Sequence, residues 1–320
     1  MIARAVSVFA FALSICAACG GQDAPSGLDE PMRVQSGQFI SGELPGSPPG
    51  TAGTSGPDDL RVTSIVYSNR IVLPGQAGKK LSGRASNRAS AVGLRLADLG
   101  SGYWVVPIGA PDPQFPGELT WEADTDFALA ASAFAGFHAL RVVAIDAAGV
   151  AGEQNEVNMC LASREPDNLN ACNPNTPPPD VVVSLFWDAA VDLDLRAVLP
   201  GGISVDPKHP LSDPTADGGA QSPDVAFITR DSLAGCVDDG LRQEDLVWQK
   251  RPTGTVDLYV QLANACGRPS TNFTYVVFEA EGDVPNRHLV EHFRVSGRIV
   301  NPLSDNESNV PPLYVASYSF

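Results

Sequence analysis

Basic residues are scarce in this chain. Lys and Arg number 21 against 37 Asp and Glu, for a formal charge of −16, and only 4 His stand among 320 residues. A phosphate binder needs a basic footprint, so nucleic acid is excluded as a partner, and so is adhesion to an anionic membrane by charge alone. Few histidines leave few general bases. No Gly-x-Ser-x-Gly, no P-loop and no Gly-x-Gly-x-x-Gly between strand and helix is present. No pair among Cys160, Cys172, Cys236 and Cys266 shows Cys-x2-Cys spacing, which argues against structural zinc. No stretch carries a sustained helical period. The one long apolar run, ending at Ala18, is too short to span a bilayer.

That run follows Arg4 and reads as a signal peptide over 1–18. It ends on Ala17-Ala18-Cys19, which resembles the lipobox of bacterial lipoproteins. The resemblance implies that Cys19 is lipidated and becomes the mature N-terminus. Cys16 stands where that pattern usually has Leu, and plain secretion after Ala-x-Ala-type cleavage stays open, as does a core helix. Several acyl chains anchor stably, at ~0.8 kcal/mol per buried CH2. Gly20 follows the cysteine where an inner-membrane protein would carry Asp, so the expected location is the outer membrane, facing periplasm or cell surface.

What is plentiful is Gly (30) and Pro (27). Residues 19–59, with "GELPGSPPGTAGTSGPDD", read as a disordered tether that reaches ~35 Å. From Leu60 the text changes to short apolar or alternating runs between Gly and Pro: "RVTSIVYS", "AVGLRLADLG", "GYWVVPIG", "GELTWEAD" and "HALRVVAIDAAGV". This predicts an immunoglobulin-like β-sandwich over 60–160, with a short helix within the Ala-rich 124–137. A Cys/Pro-rich linker follows over 161–180. Residues 181–320 predict a second, jelly-roll-like β-sandwich, from "DVAFIT", "EDLVWQ", "TVDLYVQLA", "NFTYVVFEA", "HLVEHFRVSG" and "LYVASYSF". The fold class is therefore all-β. Cys160, Cys172, Cys236 and Cys266 in an exported chain read as two disulfides. Three connectivities are open; pairing 160 with 172 and 236 with 266 is the simplest.

The stretch "FWDAAVDLDLRAVLPGG" carries the best candidate site. Its odd positions are mostly apolar and its even positions largely polar, with "DAAV" as a hairpin turn. Asp192 and Asp194 leave one strand face ~7 Å apart. Two such carboxylates can converge on Ca2+, which takes six to eight oxygens at ~2.3–2.6 Å. Asp188 completes the expected set, with further oxygens from Asp231, Asp238 or Asp239 if those loops fold back. The competing reading is a solvated strand face with Arg196 as partner. A catalytic carboxylate pair needs a cleft between two acids, and nothing marks one.

"HLVEH", His288 to His292, matches the order of inverted zinc peptidases. That chemistry needs a helix. On the strand expected here the two imidazoles lie ~13 Å apart and cannot share a metal. His138 falls on a strand and His209 in a loop. Trp104, Trp121, Trp187 and Trp248 read as core before they read as sugar platforms.

As a set, "SLFWDAAVDLDLRAVLPGG", "DPKHP", "RDSLAGCVDDGLRQEDLVW" and "GTVDLYVQLANACG" resemble the second domain of uncharacterised bacterial surface lipoproteins, and more distantly YfaP-like and pre-peptidase C-terminal domains. "CLASREPDNLNACNP" suits the same group. The resemblance covers 181–320 and implies no catalytic residues. Calcium sites of related sandwiches would map to Asp192, Asp194 and Asp188. "QEDLVW" departs from that group's wording, which leaves a role for Glu244 open.

The expected function is a lipid-anchored bacterial surface protein without catalytic residues, a binding or adhesion module for protein or glycan, stabilised by calcium. The alternatives are a structural envelope protein without a specific ligand and, last, a metal-dependent hydrolase.

Overall fold

The computed structural model describes residues 26–51, 59–67, 69–216, 222–237, 239, 241–300 and 311–320. The expected signal peptide, Cys19 and Asp238 lie outside these residues. Nineteen strands are described, and helix is confined to short 3-10 turns.

Two separate apolar cores divide the chain. The first includes Leu81, Leu94, Trp121, Leu140 and Met159; the second includes Leu185, Leu193, Leu195, Leu258 and Tyr275. Each lies between two sheets whose strands alternate inward and outward, the arrangement a strand period of two produces.

The first sandwich is built from β1 (Met32–Val34), β2 (Gln38–Ser41), β3 (Val62–Tyr67), β4 (Ile71–Val72), β5 (Lys79–Ser86), β6 (Ala91–Leu96), β7 (Gly102–Pro107), β8 (Glu118–Phe127), β9 (Gly136–Ile145) and β10 (Asn155–Leu161). One sheet has the order β1-β8-β5-β3 and the other β2-β7-β6-β9-β10-β4. The β10–β4 pair is parallel and the rest are antiparallel. The helix expected within 124–137 is a 3-10 turn, Leu129–Phe134.

Part of the segment expected as tether over 19–59 is folded. Met32 and Val34 are buried, and Met32 pairs with Phe127 at the edge of β8. The Met32 carbonyl accepts the indole N–H of Trp104 at 2.8 Å, and Phe39 packs on the same ring. Apolar residues at 32, 34 and 39 therefore close the first core, and this sandwich starts well before Leu60.

The second sandwich comprises β11 (Val181–Trp187), β12 (Asp192–Val198), β13 (Ser204–Val205), β14 (Ala226–Ile228), β15 (Gln243–Trp248), β16 (Thr255–Asn264), β17 (Ser270–Glu281), β18 (His288–Val300) and β19 (Leu313–Ser319). Its sheets have the orders β14-β15-β11-β17-β18 and β13-β12-β16-β19. β11 and β12 thus belong to different sheets, and "DAAV" is an arch across the core where a hairpin is expected. The indole of Trp187 donates to the Val191 carbonyl at 2.9 Å and holds that arch closed.

The disulfides are Cys160–Cys172 and Cys236–Cys266, the neighbour pairing. Cys160–Cys172 ties the end of β10 to the following segment, which is folded and docked. Arg164 and Gln243 exchange two hydrogen bonds, Arg164 Nε to Gln243 Oε1 at 3.2 Å and Gln243 Nε2 to the Arg164 carbonyl at 2.9 Å. Asn168 Nδ2 donates to Gln249 Oε1 at 3.1 Å. This bridge covers part of the outer face of β15 and β11, which explains why both faces of β11 are buried.

Candidate metal centre

β12 sends Leu193 and Leu195 into the core, both fully buried. Asp192 and Asp194 leave the opposite face, where the sequence reading allows solvent. They are instead 6% exposed each, because the segment between β13 and β15 folds back over that face. Asp231 lies on that segment. Carboxylate oxygens of Asp192, Asp194 and Asp231 all stand within 4.8 Å of one another.

Several devices hold the covering segment down. Cys236 is bonded to Cys266, two residues beyond β16, the partner strand of β12. Gly235, with φ of 58°, turns its N–H onto Asp192 Oδ2 at 2.8 Å. Leu233 and Cys236 also adopt left-handed φ, of 62° and 67°. Non-glycine residues seldom hold this conformation unless their surroundings enforce it.

A fourth acid comes from the facing sheet. Glu244, on β15, is fully buried, and its Oε2 accepts the Leu195 N–H at 2.6 Å. It thereby satisfies a backbone donor on the side of β12 away from β16. Its other oxygen takes the Ser232 N–H at 3.3 Å. Burial, then the charges of Asp194 and Asp231, pushes Glu244 well above the usual carboxylate range.

Asp194 is the least compensated member. Among the described residues no donor hydrogen-bonds its carboxylate. Burial first, then Asp192 and Asp231, pushes it up to about 7, with Lys208 opposing. Burial also raises Asp231; Lys208 lowers it and Asp239 raises it further. Like charges this close disfavour joint ionisation unless a cation offsets them. Oxygens around one Ca2+ stand at most ~5 Å apart across the ion, so the spacing of the three carboxylates fits that cation.

Asp188 is not part of the group. Its carboxylate accepts the Asn272 backbone N–H at 2.9 Å, Asn272 Nδ2 at 2.6 Å and the Thr271 hydroxyl at 3.2 Å. The Asn272 side chain is the main cause of its lowered pKa. Because β11 and β12 part into different sheets, Asp188 pins the arch to β17, and Asp231 takes the third place at the cluster. Asp239 is engaged with the Ser232 hydroxyl and the Leu241 N–H. Arg196, expected as a surface partner, lies two residues beyond Asp194, and the cation acting on the acids is Lys208.

His288 and His292 both fall on strand β18. His288 Nδ1 faces the Asn286 carbonyl at 2.9 Å and His292 Nε2 faces Glu281 at 2.8 Å. Glu291 is held by Arg294. The helical geometry of a zinc peptidase is not formed. His138 lies between Asp98 and the Phe134 carbonyl. All four Trp are core residues, 8% exposed or less.

No model of a known protein family matches the chain, and no curated protein is similar to it.

Proposed function

We propose that this chain is a lipid-anchored module of the bacterial cell envelope that binds protein or glycan without catalysing a reaction, and that a divalent cation, calcium by its oxygen donors, locks its second sandwich. The anchor is read from Ala17-Ala18-Cys19 and the outer-membrane address from Gly20. The first sandwich is read as immunoglobulin-like and the second as jelly-roll-like.

One observation carries the cation: Asp192 and Asp194 are buried beside Asp231 and Glu244, with Asp194 lacking any hydrogen-bond donor among the described residues. Asp192, Asp194 and Asp231 would hold the ion; Glu244 is committed to backbone N–H groups of both walls. The ion would supply charge balance and would clamp the covering segment to β12. The strand geometry at 288–292 supports a binding module over a peptidase.

Thermal melting of the full chain with Ca2+ and with chelator tests the cation. A ligand at 100 times its Kd contributes ~2.7 kcal/mol. The expected result is a melting point several degrees higher with Ca2+, abolished in Asp231→Asn. Equal melting points in both buffers would remove the cation from this reading.

A further inference from the structure

The bridge and the outer face of the second sandwich frame a partly open pocket of about 330 Å3. Phe227 and Val247, on β14 and β15, form an apolar wall with Leu73 and Pro74 from the turn after β4. Arg164 and Arg230 line the same space, both half-buried. Pockets of this size at junctions between folded units suit small ligands.

The two guanidiniums keep N–H groups without a hydrogen-bonded acceptor among the described residues, although the charge of Asp245 acts on both and that of Glu165 on Arg164. Arg164 lies 3.9 Å over the Phe186 ring and donates its Nε to Gln243, which fixes its plane. Among the described residues its Nη groups donate to nothing, and Arg230 makes no hydrogen bond or ion pair. In a chain of net charge −16 this is unexpected. Glu165 and Asp167 share the lining, and Asp167 and the neighbouring Asp245 are already hydrogen-bonded. Asp167 accepts from Leu169 N–H, Ser163 Oγ and Ala171 N–H. Asp245 is fully buried and accepts from Ser184, Gln243 and Thr229. Glu165 is pushed up, chiefly by burial, toward its neutral form. The rim carries Asn168 and Leu169 in left-handed φ of 58° and 60°. Such backbone strain clusters at ligand sites.

We infer that this cavity binds the carboxylate group of a small ligand, gripped by the guanidinium forks of Arg164 and Arg230. Planar guanidinium pairs with carboxylate through two parallel N–H···O bonds, and a half-buried site strengthens them. The cavity holds one sugar unit or a dipeptide, so the carboxylate belongs to a uronic acid or to a peptide C-terminus. This inference rests on the binding-module reading and names a ligand chemistry for it.

Titration calorimetry on the full chain tests it, with D-glucuronate against its methyl ester and N-acetyl-glycylglycine against its amide. One acid should bind saturably, and its neutral counterpart at least about tenfold more weakly. Which acid binds identifies the source. Arg230→Gln should weaken the acid about tenfold or more, and Arg164→Lys, which keeps the charge and loses the fork, should do likewise. Arg298→Gln, exposed on β18, should bind as the unaltered chain does, and melting points confirm that each variant folds. The inference is overturned if neither acid binds up to about 10 mM, if ester or amide binds equally, or if Arg230→Gln binds unchanged. The calcium-dependent melt is a separate measurement, so either reading can fail while the other stands.

Discussion

In the first sandwich, Glu30, Lys79 and Arg95 are buried, and each has a partner of its own. Glu30 accepts the Ser101 N–H and hydroxyl, Lys79 donates to Asn69 and the Ile71 carbonyl, and Arg95 pairs with Glu43. In the second sandwich, Asp192, Asp194 and Glu244 are buried together, with Asp231 against them. Two frames of the same architecture therefore treat buried charge differently. Dispersed charges are each satisfied by hydrogen bonds from neighbouring groups, and Arg95 by an opposite charge as well. Gathered carboxylates leave a net negative site, and its stability then depends on pH and on ions. The contrast is a physical reason to look for a cation in one sandwich and not in the other.

Core truncation should give the largest effect and should not separate the two. Leu94→Ala and Leu195→Ala each remove a fully buried side chain and should cost about 2–5 kcal/mol by denaturant unfolding, followed domain by domain. A much smaller loss at Leu195 would mean that its core is looser than the first. Next comes loss of a disulfide. Replacing Cys236 and Cys266 by Ser should cost about 3–4 kcal/mol and should also weaken the melting response to Ca2+. Replacing Cys160 and Cys172 should cost about 3 kcal/mol and leave that response intact.

The pH dependence sharpens the comparison further. Asp194 binds its proton more tightly in the folded state, with its pKa raised from 3.8 to about 7. In metal-free buffer the folded state holds more protons between these values. The second sandwich should therefore lose stability as pH rises from about 4 to 7 and level off above, by a few kcal/mol in total. Asp194→Asn should flatten that slope and raise metal-free stability at pH 8 while removing the gain from Ca2+. A first sandwich melting with the same slope would assign the effect elsewhere. The smallest effect belongs to Asp188→Ala. It breaks the tie to Asn272 and Thr271 and should cost about 1 kcal/mol, with the calcium response unchanged. A lost response would return Asp188 to the cation site.

Much of this fold can be read along the chain, because a period of two and the turn residues are local. β3, β6 to β9 and the strands from β11 onward other than β13 are legible, and so is strand at 288–292. β1, β2, β4, β5 and β10 are not. Met32, Val34 and Phe39 lie in Gly- and Pro-rich text, and "KKLSGRAS" carries Lys, Ser and Gly at positions that bury only through partners far along the chain. The cluster was half legible. Asp192 and Asp194 share a strand face, which alternation reveals. Their burial depends on the segment between β13 and β15, later in the chain, folding back, and the exchange of Asp188 for Asp231 depends on β11 and β12 parting into two sheets. Arg164 and Arg230 carried no local signal, since their shared cavity is formed by a bridge whose docking the sequence does not announce.

The Cys160–Cys172 bond has a mechanical corollary. A pull on the two ends of the chain passes from β10 straight through the sulfurs to the segment leading into β11. The loop between them, twelve residues apart in sequence, carries no tension. Some ~40 Å of slack is thus withheld from extension, and the docked bridge keeps its hold on the second sandwich until one of the sandwiches itself gives way.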